Sequence, residues 1–163
     1  MEDLLIAWTA RAAVGCFLLR LLLMQNRRDR LATPSEIAVW AAGGLLLLAH
    51  TVFAFQFQHH WSHAAAYAHT ARQTFEMTGW DWGGGLSLNY LTVALWVADV
   101  LVLIRARWRQ VPPPRWWTGL VITWIGFIVV NATLVFGPRW WWGLGAAFGA
   151  AVAFLKRSHR VSD

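Results

Sequence analysis

The hydrophobic residues of this chain fall into five long runs separated by short polar segments. The runs cover residues 4–24, 37–57, 88–104, 117–136 and 140–155. At 1.5 Å of rise per residue, the first, second and fourth runs reach about 30 Å as helices, and the other two reach about 24 to 26 Å. The hydrocarbon core of a bilayer is about 30 Å thick. We therefore predict an all-α integral membrane protein, with five transmembrane helices in a single domain over residues 1–163.

Polar segments between the runs agree with this division. Thr33, Pro34 and Glu36 form a helix-start pattern immediately before the second run. The three prolines of residues 112–114 exclude a continuous helix between the third and fourth runs. The second, third and fourth predicted spans therefore begin or end at a recognisable signal.

The basic residues beside the runs predict the orientation of the bundle. With five spans, the loops on one side carry ten arginine and lysine residues and the loops on the other side carry two. The ten are Arg27, Arg28, Arg30, Arg105, Arg107, Arg109, Arg115, Lys156, Arg157 and Arg160, and the two are Arg72 and Arg139. The positive-inside rule then places the N-terminus outside and the C-terminus in the cytoplasm. A four-span arrangement would put one basic cluster on the wrong side.

Composition excludes the other common classes of protein. The chain is 58% hydrophobic and 13% charged, whereas a soluble domain is about 25% charged. The net charge of +6 is spread over three short loops rather than one face, which argues against a nucleic-acid partner. Thirteen arginines against one lysine suggest a GC-rich bacterial genome. We expect a multi-pass protein of the bacterial inner membrane, with the lipid bilayer as its main surroundings.

Most of the thirteen tryptophans are expected at the two membrane boundaries, where indole rings form aromatic belts. Trp40, Trp108, Trp116 and Trp117 fall at the predicted cytoplasmic boundary. Two tryptophans, Trp96 and Trp124, are predicted to lie deep in the bundle.

Two ionisable residues inside the spans require partners. An ionisable side chain in a span costs about 2.5 to 3.5 kcal/mol on insertion scales. Asp99 is too short to reach the interface, whereas the Arg11 side chain could bridge the difference in depth between the two residues. We predict an Arg11–Asp99 pair between the first and third spans, with helix packing as its simplest role.

Other polar and small residues predict which helix faces look inward. Asn89, Thr92, Trp96 and Asp99 lie on one helical face of the third span. Asn131 marks the inward face of the fourth. In the fifth span, Gly145 and Gly149 form a G-x-x-x-G pattern, which marks close helix packing within the chain or between copies.

The connection over residues 58–87 is longer than two neighbouring spans require, and long connections usually carry function or structure of their own. Residues 59–77 contain no helix breaker. We predict an extracytoplasmic amphipathic helix here, or an extension of the second span. Glycines 83–85 lack the lysine and the strand context of a phosphate-binding loop.

Histidines concentrate in and near this connection. The predicted metal ligands are His59, His60, His63, His69 and His50. Pairs such as His59 with His63, or His60 with His63, would present two imidazoles on one helical face. Zn²⁺ or copper suits such ligands, and haem b is a weaker alternative because His50 alone lies within a span. Neutral interfacial histidines that contact lipid or a partner are the competing interpretation.

Three functions remain open from the sequence. The first is binding of a metal ion or cofactor through the histidine-rich helix. The second is a non-catalytic accessory or assembly role, with membrane-protein partners or further copies of the chain. The third is an enzyme or proton relay that uses Asp99 and the histidines. No catalytic residue is predicted, because Ser62 lacks a nucleophile-elbow context and Cys16 has no neighbouring base in the sequence.

Overall fold

The computed structural model describes residues 1–24, 31–135, 143, 145–147 and 149–150, and within these residues it contains helices and no strands. Helix α1 covers Glu2–Met24, and α2 covers Pro34–Phe53 and continues as a π-helix over Ala54–Gln58. The remaining helices are α3, His63–Thr78; α4, Gly85–Arg109; and α5, Arg115–Val130, which continues as a second π-helix over Asn131–Val135. The chain divides into two units, Met1–Ile125 and Gly126–Asp163, and each is described by itself.

Four helical segments are long and apolar enough to cross a membrane: Glu2–Met24, Pro34–Gln58, Gly85–Arg109 and Arg115–Val135. These four segments coincide with four of the five predicted spans. The predicted fifth span, residues 140–155, falls mostly outside the described residues. The third span is longer than its apolar run, because α4 has 25 residues and therefore rises about 37 Å.

Helix ends follow their local sequence. Thr33 and Glu36 form the predicted capping box: the Thr33 hydroxyl accepts from the Glu36 backbone N–H at 3.3 Å, and the Glu36 carboxylate accepts from the Thr33 N–H at 2.7 Å. Helix α4 ends at Gln110, whose φ is 56°, before the three prolines. These contacts satisfy backbone groups that a helix end leaves without partners.

Helix α3 begins four residues later than the predicted helix. Ser62 caps it by accepting from the Ala65 N–H at 3.2 Å, and Gly79, with φ of 74°, ends it. His59 therefore lies in the turn before α3. The physical reason is the cap, since a serine side chain that takes a free N–H stabilises a helix start directly after it.

Helices α1 and α2 of the first unit run antiparallel to each other. His50 near the end of α2 lies 2.9 Å from the Ile6 carbonyl oxygen near the start of α1. Arg20 near the end of α1 pairs with Glu36 at the start of α2. One end of the bundle thus carries the π-helix, α3 and the start of α4, and we call it the histidine end. The other carries Met24, Pro34, Arg109 and Arg115, and we call it the basic end.

Close packing of α1, α2 and α4 depends on Gly43 and Gly44. A Cβ atom on Gly43 would lie 2.6 Å from the Trp96 ring and 2.9 Å from Cβ of Cys16. A Cβ atom on Gly44 would lie 3.1 Å from the same indole. Small residues at these positions therefore let the indole of α4 lie against the backbone of α2.

Replacing Gly43 by alanine is expected to destabilise the bundle, because the Trp96 ring and Cys16 would have to move. Overpacking of this kind costs about 1 to 3 kcal/mol. The measurement is the melting temperature of the purified protein in detergent, which should fall. Gly15→Ala is the matched control, since its Cβ meets no described atom within 4 Å. Equal effects of the two substitutions would contradict the close approach at Gly43.

Candidate functional site

The carboxylate of Asp99 lies at the centre of a buried cluster near the basic end. Its Oδ2 accepts from the Trp40 indole N–H at 2.9 Å, and its Oδ1 accepts from the Trp117 indole N–H at 2.7 Å. Asp99 is 5% exposed and Trp40 is fully buried. Three helices, α2, α4 and α5, are joined through one carboxyl group.

A second layer of aromatic contacts holds Trp40 in place. The Trp96 indole N–H donates to the Trp40 carbonyl oxygen at 2.9 Å, and the two rings stack at 4.4 Å between centroids. Phe17 of α1 packs against both rings, at 6.2 Å from Trp40 and 6.4 Å from Trp96. The indoles therefore serve both as hydrogen-bond donors and as apolar filling.

Arg20 and Glu36 extend the cluster toward the helix ends. The Arg20 guanidinium lies 3.7 Å from Oε2 of Glu36, and both side chains are buried. It also lies 6.0 Å from the Trp40 ring centroid and interacts electrostatically with Asp99. We call Arg20, Glu36, Trp40, Trp96, Asp99 and Trp117 the Asp99 cluster.

One further hydrogen bond joins α4 to α5 closer to the histidine end. The Trp124 indole N–H donates to the Thr92 hydroxyl at 3.0 Å, and that hydroxyl donates to the Leu88 carbonyl at 2.7 Å. Thr92 is buried, as the inward face predicted. Asn89, placed on the same face from the sequence, is exposed.

The structure gives Asp99 partners that the sequence did not predict, and the predicted Arg11–Asp99 pair stays a prediction. Both carboxylate oxygens accept from indoles, and the guanidinium that acts on Asp99 is that of Arg20. The Arg11 guanidinium lies 5.2 Å from the ring centroid of Trp8 on its own helix. Trp40 also departs from its predicted place in an aromatic belt, because its N–H is needed by the buried carboxylate.

The second unit contains the other residues predicted to pack or face inward. The Asn131 side-chain amide donates to the Phe127 carbonyl at 2.8 Å, one turn earlier on the same segment. Gly145 and Gly149 are exposed. A Cβ atom at Gly145 would lie 3.8 Å from Leu134, and one at Gly149 would meet no described atom within 4 Å. The packing role predicted for these glycines stays a prediction.

At the histidine end, the chain turns sharply between α2 and α3. His60 and Trp61 both have positive φ, at 46° and 59°. The Trp61 N–H donates to the Phe55 carbonyl at 3.0 Å, and the Ser62 N–H donates to the His59 carbonyl at 2.8 Å. A left-handed backbone at a non-glycine residue costs on the order of 1 to 3 kcal/mol. Among the described residues, this turn is the one place where two successive non-glycine residues have positive φ.

This turn brings His59 against His69 of α3. The centroids of the two imidazole rings are 5.3 Å apart, at an interplanar angle of 65°. Phe55 of the π-helix also packs against His59, at 5.7 Å between ring centroids. Burial lowers the pKa of His59 below its ordinary value of 6.5, and the nearby His69 and His60 lower it further. The His59 imidazole is therefore mostly neutral at pH 7, which is the form that binds metals.

The other histidines lie apart from this pair. His63 packs against Tyr90 at 5.9 Å between ring centroids, His60 is exposed, and His50 contacts the Ile6 carbonyl. In the part of the chain that the structure describes, no three His, Cys, Asp or Glu side chains converge into a group that could hold a metal ion. The predicted i, i+4 and i, i+3 pairs do not form on one helix, because His59 and His60 precede α3.

Comparisons of the chain with protein-family models, with curated proteins and with solved structures found no match. The functional argument therefore depends on the geometry of the two clusters. Both oxygens of Asp99 already have donors, whereas the imidazoles of His59 and His69 pack edge to face without a hydrogen bond between them in the described contacts.

Replacing Trp117 by phenylalanine is expected to destabilise the bundle by about 1 to 3 kcal/mol, because a buried carboxylate oxygen loses its donor. The adjacent Trp116 is 68% exposed, so Trp116→Phe is the matched control and should change stability by no more than about 0.5 kcal/mol. Thermal unfolding in detergent measures both. If the two variants have the same melting temperature, the hydrogen bond from the Trp117 indole to Asp99 does not stabilise the fold.

Proposed function

We propose that this multi-pass membrane protein binds a transition-metal ion, Zn²⁺ or copper, between His59 and His69. The observation that carries the proposal is the 5.3 Å separation of the two ring centroids. A metal ion with bonds of about 2.0 to 2.1 Å to one nitrogen of each ring would place the centroids roughly 5 to 6 Å apart. The separation of the rings is therefore compatible with one shared ion.

The backbone around the pair supports the same interpretation. A π-helix precedes His59, and left-handed residues follow it. Single-turn π-helices and strained backbone both concentrate at functional sites, because surrounding structure must compensate for their cost. A turn that only connected two helices could use glycine at the left-handed positions without that cost.

A site with two protein ligands leaves coordination positions open. Zinc in structural sites almost always has four protein ligands, whereas His59 and His69 supply two. Water, a small ligand or a partner protein would complete the shell. An open site of this kind suits exchange or transfer of the ion better than permanent structural binding.

The Asp99 cluster does not form part of this function. Along α2, Trp40 and His59 are separated by 19 residues, which corresponds to roughly 28 Å at helical rise. This distance is too long for direct proton transfer between Asp99 and the histidine pair. A hydrogen-bonded relay would need intermediate carriers between them. The arrangement therefore favours metal binding over the enzyme or proton-relay alternative.

We further propose that the histidine end faces the outside of the bacterial inner membrane. The support is the distribution of charge: Arg105, Arg107, Arg109 and Arg115 lie at the opposite end of the described bundle, and cytoplasmic loops are enriched in basic residues. In this arrangement the N-terminus is outside, α3 is extracytoplasmic, and a fifth span over residues 140–155 returns the C-terminus to the cytoplasm.

Metal binding can be tested with purified full-length protein in nanodiscs, carrying an affinity tag without histidine. Calorimetric titration with Zn²⁺ and with Cu²⁺ should give one site per chain. His59→Gln and His69→Gln should each weaken binding at least about tenfold, or about 1.4 kcal/mol, through loss of a ligand. His60→Asn is the control, because asparagine tolerates the left-handed backbone. Wild-type affinity for both ions in the doubly substituted protein would overturn the proposal.

The orientation has a separate test. Ala64 of α3 and Val111 after α4 are exposed at opposite ends of the bundle, and Cys16 is the one native cysteine. In a Cys16→Ser background, Ala64→Cys should react with a membrane-impermeant maleimide in intact spheroplasts. Val111→Cys should react only after permeabilisation. The reverse pattern would invert the proposed topology.

A further inference from the structure

The last turn of α4 extends past the apolar part of this helix. The apolar run ends at Ile104, whereas α4 continues to Arg109. These five residues add about 7 Å of helical rise. Arginine side chains are costly within the hydrocarbon core, so a bilayer that covers the apolar run has residues 105–109 at the depth of its lipid headgroups.

One side of α4 combines charge at this depth with an apolar stripe below it. Arg105 and Arg109 are one helical turn apart, Trp108 lies between them on the same side, and all three are exposed. The stripe continues one turn at a time through Leu101, which is 61% exposed, to Val97, which is 42% exposed. We call these five residues the outer side of α4.

The acidic side chains near the basic end have other partners. Among the described residues there, Glu36 pairs with Arg20, and Asp99 accepts from two indoles. Both carboxyl groups are buried. In the sequence, the next acidic residue after Asp99 is Asp163. The exposed end of α4 therefore presents positive charge with no acidic residue of its own segment beside it, and such a segment attracts anionic headgroups.

A phospholipid matches the outer side of α4 in both charge and polarity. An acyl chain would lie along Val97 and Leu101, and the phosphate would lie between Arg105 and Arg109. Guanidinium groups bind phosphate oxygens through paired N–H donors, and indoles are favoured at the membrane–water boundary. A headgroup with a net negative charge is preferred, because the cation of a zwitterionic headgroup offsets the attraction of its phosphate.

We propose that the outer side of α4 binds one anionic phospholipid, with its phosphate held by Arg105 and Arg109. Arg107 lies outside this site, because two residues along a helix correspond to about 200° of rotation. The lipid site is separate from the proposed metal site at the histidine end. It also holds for either orientation of the bundle, since it requires only that α4 crosses a bilayer.

Lipid titrations followed by native mass spectrometry test this proposal, with full-length protein in a non-ionic detergent. Phosphatidylglycerol should bind at least about tenfold more tightly than phosphatidylcholine with the same acyl chains, as expected for two arginines near the headgroup. Arg105→Gln and Arg109→Gln should each weaken phosphatidylglycerol binding about fivefold. Both side chains are exposed, so the variants should keep the wild-type melting temperature.

Arg107→Gln is the matched control, because it removes one exposed charge from the same turn of α4. It should weaken phosphatidylglycerol binding less than about twofold, since salt screens a charge on the far side of the helix. Equal losses for Arg105→Gln and Arg107→Gln would overturn the site, because overall charge would then explain the binding. Equal affinity for the two lipids would overturn the anionic preference. Displacement of phosphatidylglycerol by inorganic phosphate would overturn the lipid assignment and indicate a site for free anions.

Discussion

The need to satisfy one buried carboxyl group organises most of the described bundle. Asp99 lies in an apolar helix, where its oxygens find no water, and two indole N–H groups from neighbouring helices fill that need. Trp40 must therefore point inward, Trp96 stacks upon it, and Gly43 and Gly44 keep that part of α2 free of side chains. The close approach of the helices is a consequence of where those two donors have to be.

This solution gives the two ends of the bundle different physical characters. Near the basic end, both oxygens of the buried Asp99 carboxylate accept from indole N–H groups, which favours a single rigid arrangement around it. At the histidine end, the backbone includes a π-helix and two left-handed residues, and the imidazoles of His59 and His69 are held together by that turn.

Tryptophan serves two purposes in this chain. Trp8, Trp61, Trp80, Trp108 and Trp116 are largely exposed, as expected for side chains at a membrane interface. Trp40, Trp96, Trp117 and Trp124 instead donate hydrogen bonds between helices. An indole can replace a charged partner in the membrane because it brings a single donor on a large apolar ring, so the carboxylate is satisfied without a second ionisable group.

The sequence by itself determined the all-helical membrane class, four of the spans and the capping box at Thr33, because hydropathy and caps depend on residues close together along the chain. It also identified Asp99 as a buried group in need of partners and His59 and His69 among the candidate ligands. Only the tertiary structure decided that two indoles donate to Asp99, since Trp40 and Trp117 lie 59 and 18 residues away from it along the chain. The tertiary structure likewise decided that the turn before α3 places the imidazole of His59 next to that of His69. The physical reason is that contacts between helices depend on their rotation and approach, which the small residues and buried donors of all the helices set together.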